Sequence, residues 1–88
     1  MPLIEPRIKL PTADFTIEPE NPVAGLPVTF INQSADASIF SWDFGNGETS
    51  EEKQPTITYK EPGIYTVELL ARQGLRSSRK SIGVLVTR

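Results

Sequence analysis

The chain contains no cysteine and no histidine. Without cysteine there is no disulfide frame, no thiolate zinc site and no thiol nucleophile. Without histidine the commonest general base and the commonest transition-metal ligand are both missing. No apolar run approaches the roughly 20 residues of a membrane-spanning helix, so no membrane insertion by this segment is expected. An excess of positive charge is lacking too: nine Lys and Arg stand against eleven Asp and Glu, a net charge of −2. That balance argues against an electrostatic grip on nucleic acid or on an anionic membrane surface. The one loose basic group, Arg72, Arg76, Arg79 and Lys80, reads as a solvated hairpin rim. Met1-Pro2-Leu3-Ile4-Glu5 lacks the basic start and apolar centre of a signal peptide. The chain is expected to be a domain of a longer protein.

What the chain does have is alternation. Its 88 residues make one small domain, which buries roughly 60–65% of the surface its unfolded form exposes. Segment 1–12 carries Pro2, Pro6 and Pro11. Proline fixes φ and donates no hydrogen bond, so this stretch is expected to be an extended linker, or an edge segment docked through Ile4, Ile8 and Leu10. From residue 13 onward apolar and polar residues alternate with a period of two, the mark of half-buried strands. Strands are expected over 13–18, 26–32, 38–45, 56–60, 64–73 and 76–87, with 48–54 at best a short edge strand. Their inward sets include Ala13, Phe15 and Ile17, then Val28 and Phe30, then Ile57 and Tyr59. Tyr65, Val67, Leu69 and Ala71 follow, and then Ile82, Val84 and Val86. No segment has a helical period. Turn signals recur about every 8–14 residues, which predicts an all-β, two-sheet antiparallel β-sandwich of about seven strands over 13–88.

The densest stretch is Trp42-Asp43-Phe44-Gly45-Asn46-Gly47. Phe40, Trp42 and Phe44 share one face of a strand, while Ser41 and Asp43 share the other. Asn46-Gly47 is a strong hairpin-turn signal, because both residues tolerate positive φ. Val28 and Val67 stand where an immunoglobulin-type sandwich often carries its bridging cysteines, with Trp42 on the strand between them. Pro62 and Gly63 turn the chain into Tyr65, two residues before the inward Val67. That is the spacing of a tyrosine corner, whose phenol bonds backbone a few residues upstream.

In these residues the chain resembles the PKD domains, first named in the polycystic kidney disease protein. Trp42-Asp43-Phe44-Gly45-Asn46-Gly47 is similar to the family's W-D-F-G-D-G signature. The resemblance extends to Val28-Thr29-Phe30, Asn32-Gln33-Ser34, Pro55-Thr56-Ile57-Thr58-Tyr59 and Pro62-Gly63-Ile64-Tyr65-Thr66-Val67-Glu68-Leu69, in order and at matching spacing. It implies an immunoglobulin-like fold and an extracellular or cell-surface setting. It also implies a noncatalytic module beside other domains, acting as a spacer, as a protein contact or as a binder of polysaccharide or fibrous protein. Some relatives bind calcium. Here the family's second Asp is Asn46, which keeps the turn geometry and removes a formal charge. Calcium prefers six to eight oxygens with several carboxylates, and that loss weakens a calcium role.

Other chemistry has little to stand on. Asp36 with Asp43, or Glu51 with Glu52, are carboxylate pairs of a type that glycosidases use, and nothing in the sequence places either in a cleft. Asp43 and Asn46 are expected to accept backbone N–H bonds that hold the turn. Asn32-Gln33-Ser34 fits a glycosylation acceptor, although it also reads as a polar loop. By strand parity Ile39, Leu70 and Leu85 face outward, as scattered surface residues or as a contact patch for the N-terminal segment, a neighbouring domain or a ligand.

Overall fold

The computed structural model describes residues 9–88. Most of the expected linker, including Pro2, Ile4, Pro6 and Ile8, lies outside the described residues. Of the described part, Pro11 is buried and Thr12 pairs with Ala35 in an isolated antiparallel bridge, whereas Leu10 is exposed and does not dock. Seven strands follow in order: β1 (Phe15–Glu18), β2 (Pro27–Asn32), β3 (Ile39–Asp43), β4 (Thr49–Ser50), β5 (Thr56–Thr58), β6 (Gly63–Gln73) and β7 (Arg76–Val86). They form a three-stranded sheet, β1-β2-β5, and a four-stranded sheet, β4-β3-β6-β7. Every pairing between named strands is antiparallel. An isolated parallel bridge, Val23 to Thr87, ties the segment after β1 to the end of β7. The chain is thus the all-β, two-sheet sandwich that the alternation predicts.

Alternation becomes burial wherever a strand faces the opposite sheet. Phe15, Val28 and Phe30 point inward from the smaller sheet, and Phe40, Trp42, Val67, Leu69, Ala71, Val84 and Val86 from the larger. The aromatics knit the two layers. Phe15 meets Trp42 edge-on with ring centres 5.0 Å apart, and Phe30 lies 5.0 Å from Phe44. Each fully buried large side chain contributes on the order of 1.5–3 kcal/mol, so this cluster is the main source of stability. Val28 on β2 and Val67 on β6 are both closed to solvent, one in each sheet of the core.

Several strands end earlier than their alternation. β3 stops at Asp43 and β5 at Thr58, yet Phe44 and Tyr59 just beyond them are fully buried. β4 has two residues, far shorter than the 48–54 stretch the sequence offers as an edge strand. Burial therefore outlasts hydrogen-bond pairing at the rims. Tyr65 departs from its expected core position: it is half-buried at the end of the sandwich, its ring stacked 4.3 Å from that of Tyr59.

Tyr59 is the enclosed phenol. Its hydroxyl donates to the Phe44 carbonyl at 2.9 Å. Burial pushes its pKa well above the ordinary tyrosine range, and the neighbouring Tyr65, Glu48 and Asp43 add to the rise. The folded state therefore keeps a proton that the unfolded chain loses near pH 10. The stabilising effect is complete below about pH 10 and is lost as pH rises above it, with a slope approaching about 1.4 kcal/mol per pH unit. Urea midpoints followed from about pH 8 to 11 are expected to show this fall, and Tyr59→Phe is expected to flatten it while costing about 1–3 kcal/mol at neutral pH. An equally steep fall in Tyr59→Phe would assign the titration to another group.

Candidate functional site

The signature stretch crosses the end of β3 into its turn. Trp42 is enclosed, and its indole Nε1 donates to the Glu52 carbonyl at 2.8 Å, fastening the segment after β4. Asp43 Oδ1 accepts the Gly45 N–H at 3.0 Å, and Asn46 Oδ1 accepts the Glu48 N–H at 3.0 Å. The Phe44 N–H donates to the Glu48 carbonyl at 3.1 Å and closes the loop. Gly45 has φ +81° and lies against β6: a Cβ there would sit 2.5 Å from the Thr66 carbonyl oxygen. Gly47, at φ +94°, has open space around it. Among the described residues no three Asp or Glu gather closely enough to hold a metal ion.

Downstream, Lys60 and Glu61 bend the chain, Pro62 follows, and Gly63 is already the first residue of β6. The Tyr65 hydroxyl donates to the Glu61 carbonyl at 2.7 Å, the upstream bond of a tyrosine corner. Asn32 is held on both sides of its amide. Its Oδ1 accepts the Ser34 N–H at 2.9 Å, and its Nδ2 donates to the Lys53 carbonyl at 2.9 Å. A glycan on Asn32 would replace one of the two Nδ2 hydrogens and leave a single N–H for the second of these bonds.

The outward apolar residues do not form one patch. Leu70 stands opposite Ser41, and Ile39 opposite Arg72, so these two are diagonal neighbours on the larger sheet. Leu85 stands opposite Ile64. Ile64 precedes Leu70 by six residues along β6, about 20 Å at the rise of an extended strand. Thr66, Gly83, Glu68 and Ser81 fill the rows between. Leu70 is half-buried, whereas Ile39, Ile64 and Leu85 are open. Parity gives the face; only the pairing register gives the position along it.

That face carries the feature that sequence reasoning missed. A concavity of about 510 Å³ opens on the larger sheet, with Leu70 in its lining and Asp43, Glu51, Glu68 and Arg79 contributing charge. Asp43 stands directly across from Glu68. Arg79 Nη1 approaches Glu68 Oε1 at 3.5 Å, with the arginine largely in solvent and the glutamate half-buried. Asp36 borders a different hollow, with Lys9, Ala37 and Gln73, so Asp36 and Asp43 do not face a common site.

Comparison with known proteins agrees with this geometry. The family model of the PKD domain matches residues 14–86. Over 63 residues, 67% of this chain, the sequence is 41% identical to the pre-pro-metalloprotease PrtV of Vibrio cholerae, of which the match covers 6%. Over 33 residues, 38% of the chain, it is 52% identical to the collagenase ColA of Bacillus cereus, covering 3% of that protein. The chain therefore spans a small fraction of the length of these relatives. A PKD domain of Vibrio cholerae PrtV superposes with a TM-score of 0.75 at 34% identity, covering 91% of this chain and 100% of that one. A chain from a structural study of carbohydrate-binding modules of the β-sandwich superfamily gives 0.82 at 34% identity, covering 93% of this chain and 36% of that one. From the signature turn, the tyrosine corner, the two-sheet topology and these matches together, the chain belongs to the PKD domain family.

Proposed function

We propose that this PKD domain is a noncatalytic module of a larger extracellular or cell-surface protein, serving as a structural spacer or protein-interaction domain. The observation that carries the reading is where the chain enters and leaves the sandwich. The Ala13 N–H donates to Ser78 Oγ at 3.0 Å, so entry lies near the β6–β7 hairpin. Exit is at Thr87, nine residues further along β7 and at the other end of the sheet. Nine residues of extended strand set the two points about 30 Å apart. Domains joined to the two ends would be held apart by a rigid, cored body, which a flexible linker of equal reach cannot do. The proteolytic relatives PrtV and ColA, each far longer than the matched stretch, support neighbouring domains and an extracellular setting. No cofactor enters this reading.

Spin labels on Thr12→Cys and Thr87→Cys test it. A single narrow distance distribution near 30 Å is expected, plus or minus the label arms. A broad distribution would remove the spacer role. The alternative is a binding module for polysaccharide or matrix protein, favoured by the likeness to the chain from the carbohydrate-binding-module study. Saturable NMR shifts on one sheet with glycan oligomers or a collagen peptide would establish it in place of the spacer-only reading.

A further inference from the structure

We propose that the concave outer face of the four-stranded sheet docks a lysine-bearing extended segment of a partner protein. The alkyl stem would lie on Leu70 and the ammonium between Asp43 and Glu68. This rests on the reading of the chain as an interaction module and names the chemistry of its partner.

Asp43 and Glu68 are directly paired and point to the same face. Directly opposed residues have their Cβ atoms only about 4.5–5.5 Å apart, and like charges so placed repel. Among the described residues, Arg79 is the one cation in the lining beside that pair. Arg79 reaches Glu68 at 3.5 Å, but the guanidinium is largely exposed and the carboxylate only half-buried, so the pair is weak. Asp43 has one oxygen on the Gly45 N–H, which fixes the carboxylate without neutralising it. Glu51 adds a third carboxylate at the β4 rim, so the lining holds three negative groups and one positive.

The hollow is also more than a charged rim. Leu70 is half-buried and supplies an apolar floor. Ser41 and Thr49 bring hydroxyls beside it. An apolar strip ending at paired carboxylates matches the lysine side chain, which lays its methylenes on apolar surface and keeps three donors at its tip. At about 510 Å³ the hollow has room for that side chain and the backbone on either side. A sugar ring fits less well, because no aromatic face is presented: Trp42 borders the hollow, but its ring is enclosed in the core.

Titration of the 88-residue chain with tetralysine at low salt, read by amide NMR shifts, tests the proposal. Tetraglutamate and calcium chloride serve as separate arms. Saturable shifts at Ser41, Asp43, Thr49, Glu68 and Leu70 are expected with tetralysine alone. The double variant Asp43→Asn, Glu68→Gln is expected to bind about tenfold more weakly, the combined effect of two exposed charge contacts. Asn at 43 retains an acceptor for the Gly45 N–H, and an unchanged spectrum elsewhere reports an intact fold. Three results would overturn the proposal: no saturable shift, equal binding by the double variant, or the same shifts from calcium chloride. The interlabel distance is independent of this titration, so the spacer reading and the lysine site fail separately.

Discussion

Trp42→Ala is expected to lower the stability of the chain by about 3–5 kcal/mol, the range for removing a large aromatic from a packed core. The indole is 1% exposed. It meets Phe15 at 5.0 Å, Phe30 at 5.7 Å and, in parallel stacking, Phe44 at 6.1 Å. Its loss opens a cavity bordered by both sheets, which neighbours fixed by backbone pairing can close only in part. It also frees the Glu52 carbonyl, so the segment after β4 loses its tether. Small domains have about 5–15 kcal/mol in total, so a substantial unfolded fraction is expected at physiological temperature. Urea unfolding followed by far-UV circular dichroism measures the change, since the only tryptophan is the one removed. Trp42→Phe keeps a ring and drops the indole donor, and is expected to fall between the two. A shift below about 1 kcal/mol for Trp42→Ala would show that the ring contributes as a surface residue does.

Gly45→Ala is the second large effect, and Gly47→Ala is its control. Both glycines have positive φ, +81° and +94°, and an L-residue in that region costs roughly 1–2 kcal/mol. Their surroundings differ. A Cβ on Gly45 would lie 2.5 Å from the oxygen and 3.0 Å from the nitrogen of Thr66, both backbone atoms of β6. Backbone inside a paired strand cannot swing aside, so the turn must lift from the sheet. Overpacking of this kind adds typically 1–3 kcal/mol. Gly45→Ala is therefore expected to cost about 2–5 kcal/mol and Gly47→Ala about 1–2. Equal midpoints in chemical unfolding would mean that the close approach to Thr66 carries no energy.

The contrast between these glycines shows what a sequence can and cannot disclose. Gly45-Asn46-Gly47 reads as a turn from residue types alone, because few other residues tolerate its dihedrals. Which glycine also touches another strand depends on how β3 and β6 align, and no local pattern carries that. The same holds for Tyr59 and Tyr65. Alternation puts both inward, and the spacing to Val67 marks Tyr65 as a corner. Only the packing reveals that Tyr59 is the enclosed phenol, since it lies past the last paired residue of β5. The two-sheet fold was legible because a period of two in short segments leaves few alternatives once the core aromatics fall in register with it. The groove was not legible. Asp43 and Glu68 are 25 positions apart, each an ordinary exposed acid until pairing sets them face to face.

The short parallel bridge at the foot of the sandwich bears on mechanics. The Ala24 N–H donates to the Thr87 carbonyl at 2.6 Å, and the Thr87 N–H to the Pro22 carbonyl at 3.1 Å. Tension applied at Thr12 and Thr87 would draw the two bridged segments past each other along their length. Bonds loaded in that direction share the force and must break together, whereas a peeled hairpin gives way one rung at a time. These two hydrogen bonds at the exit of β7, with the Thr12–Ala35 pair at the entry, would thus meet the load first.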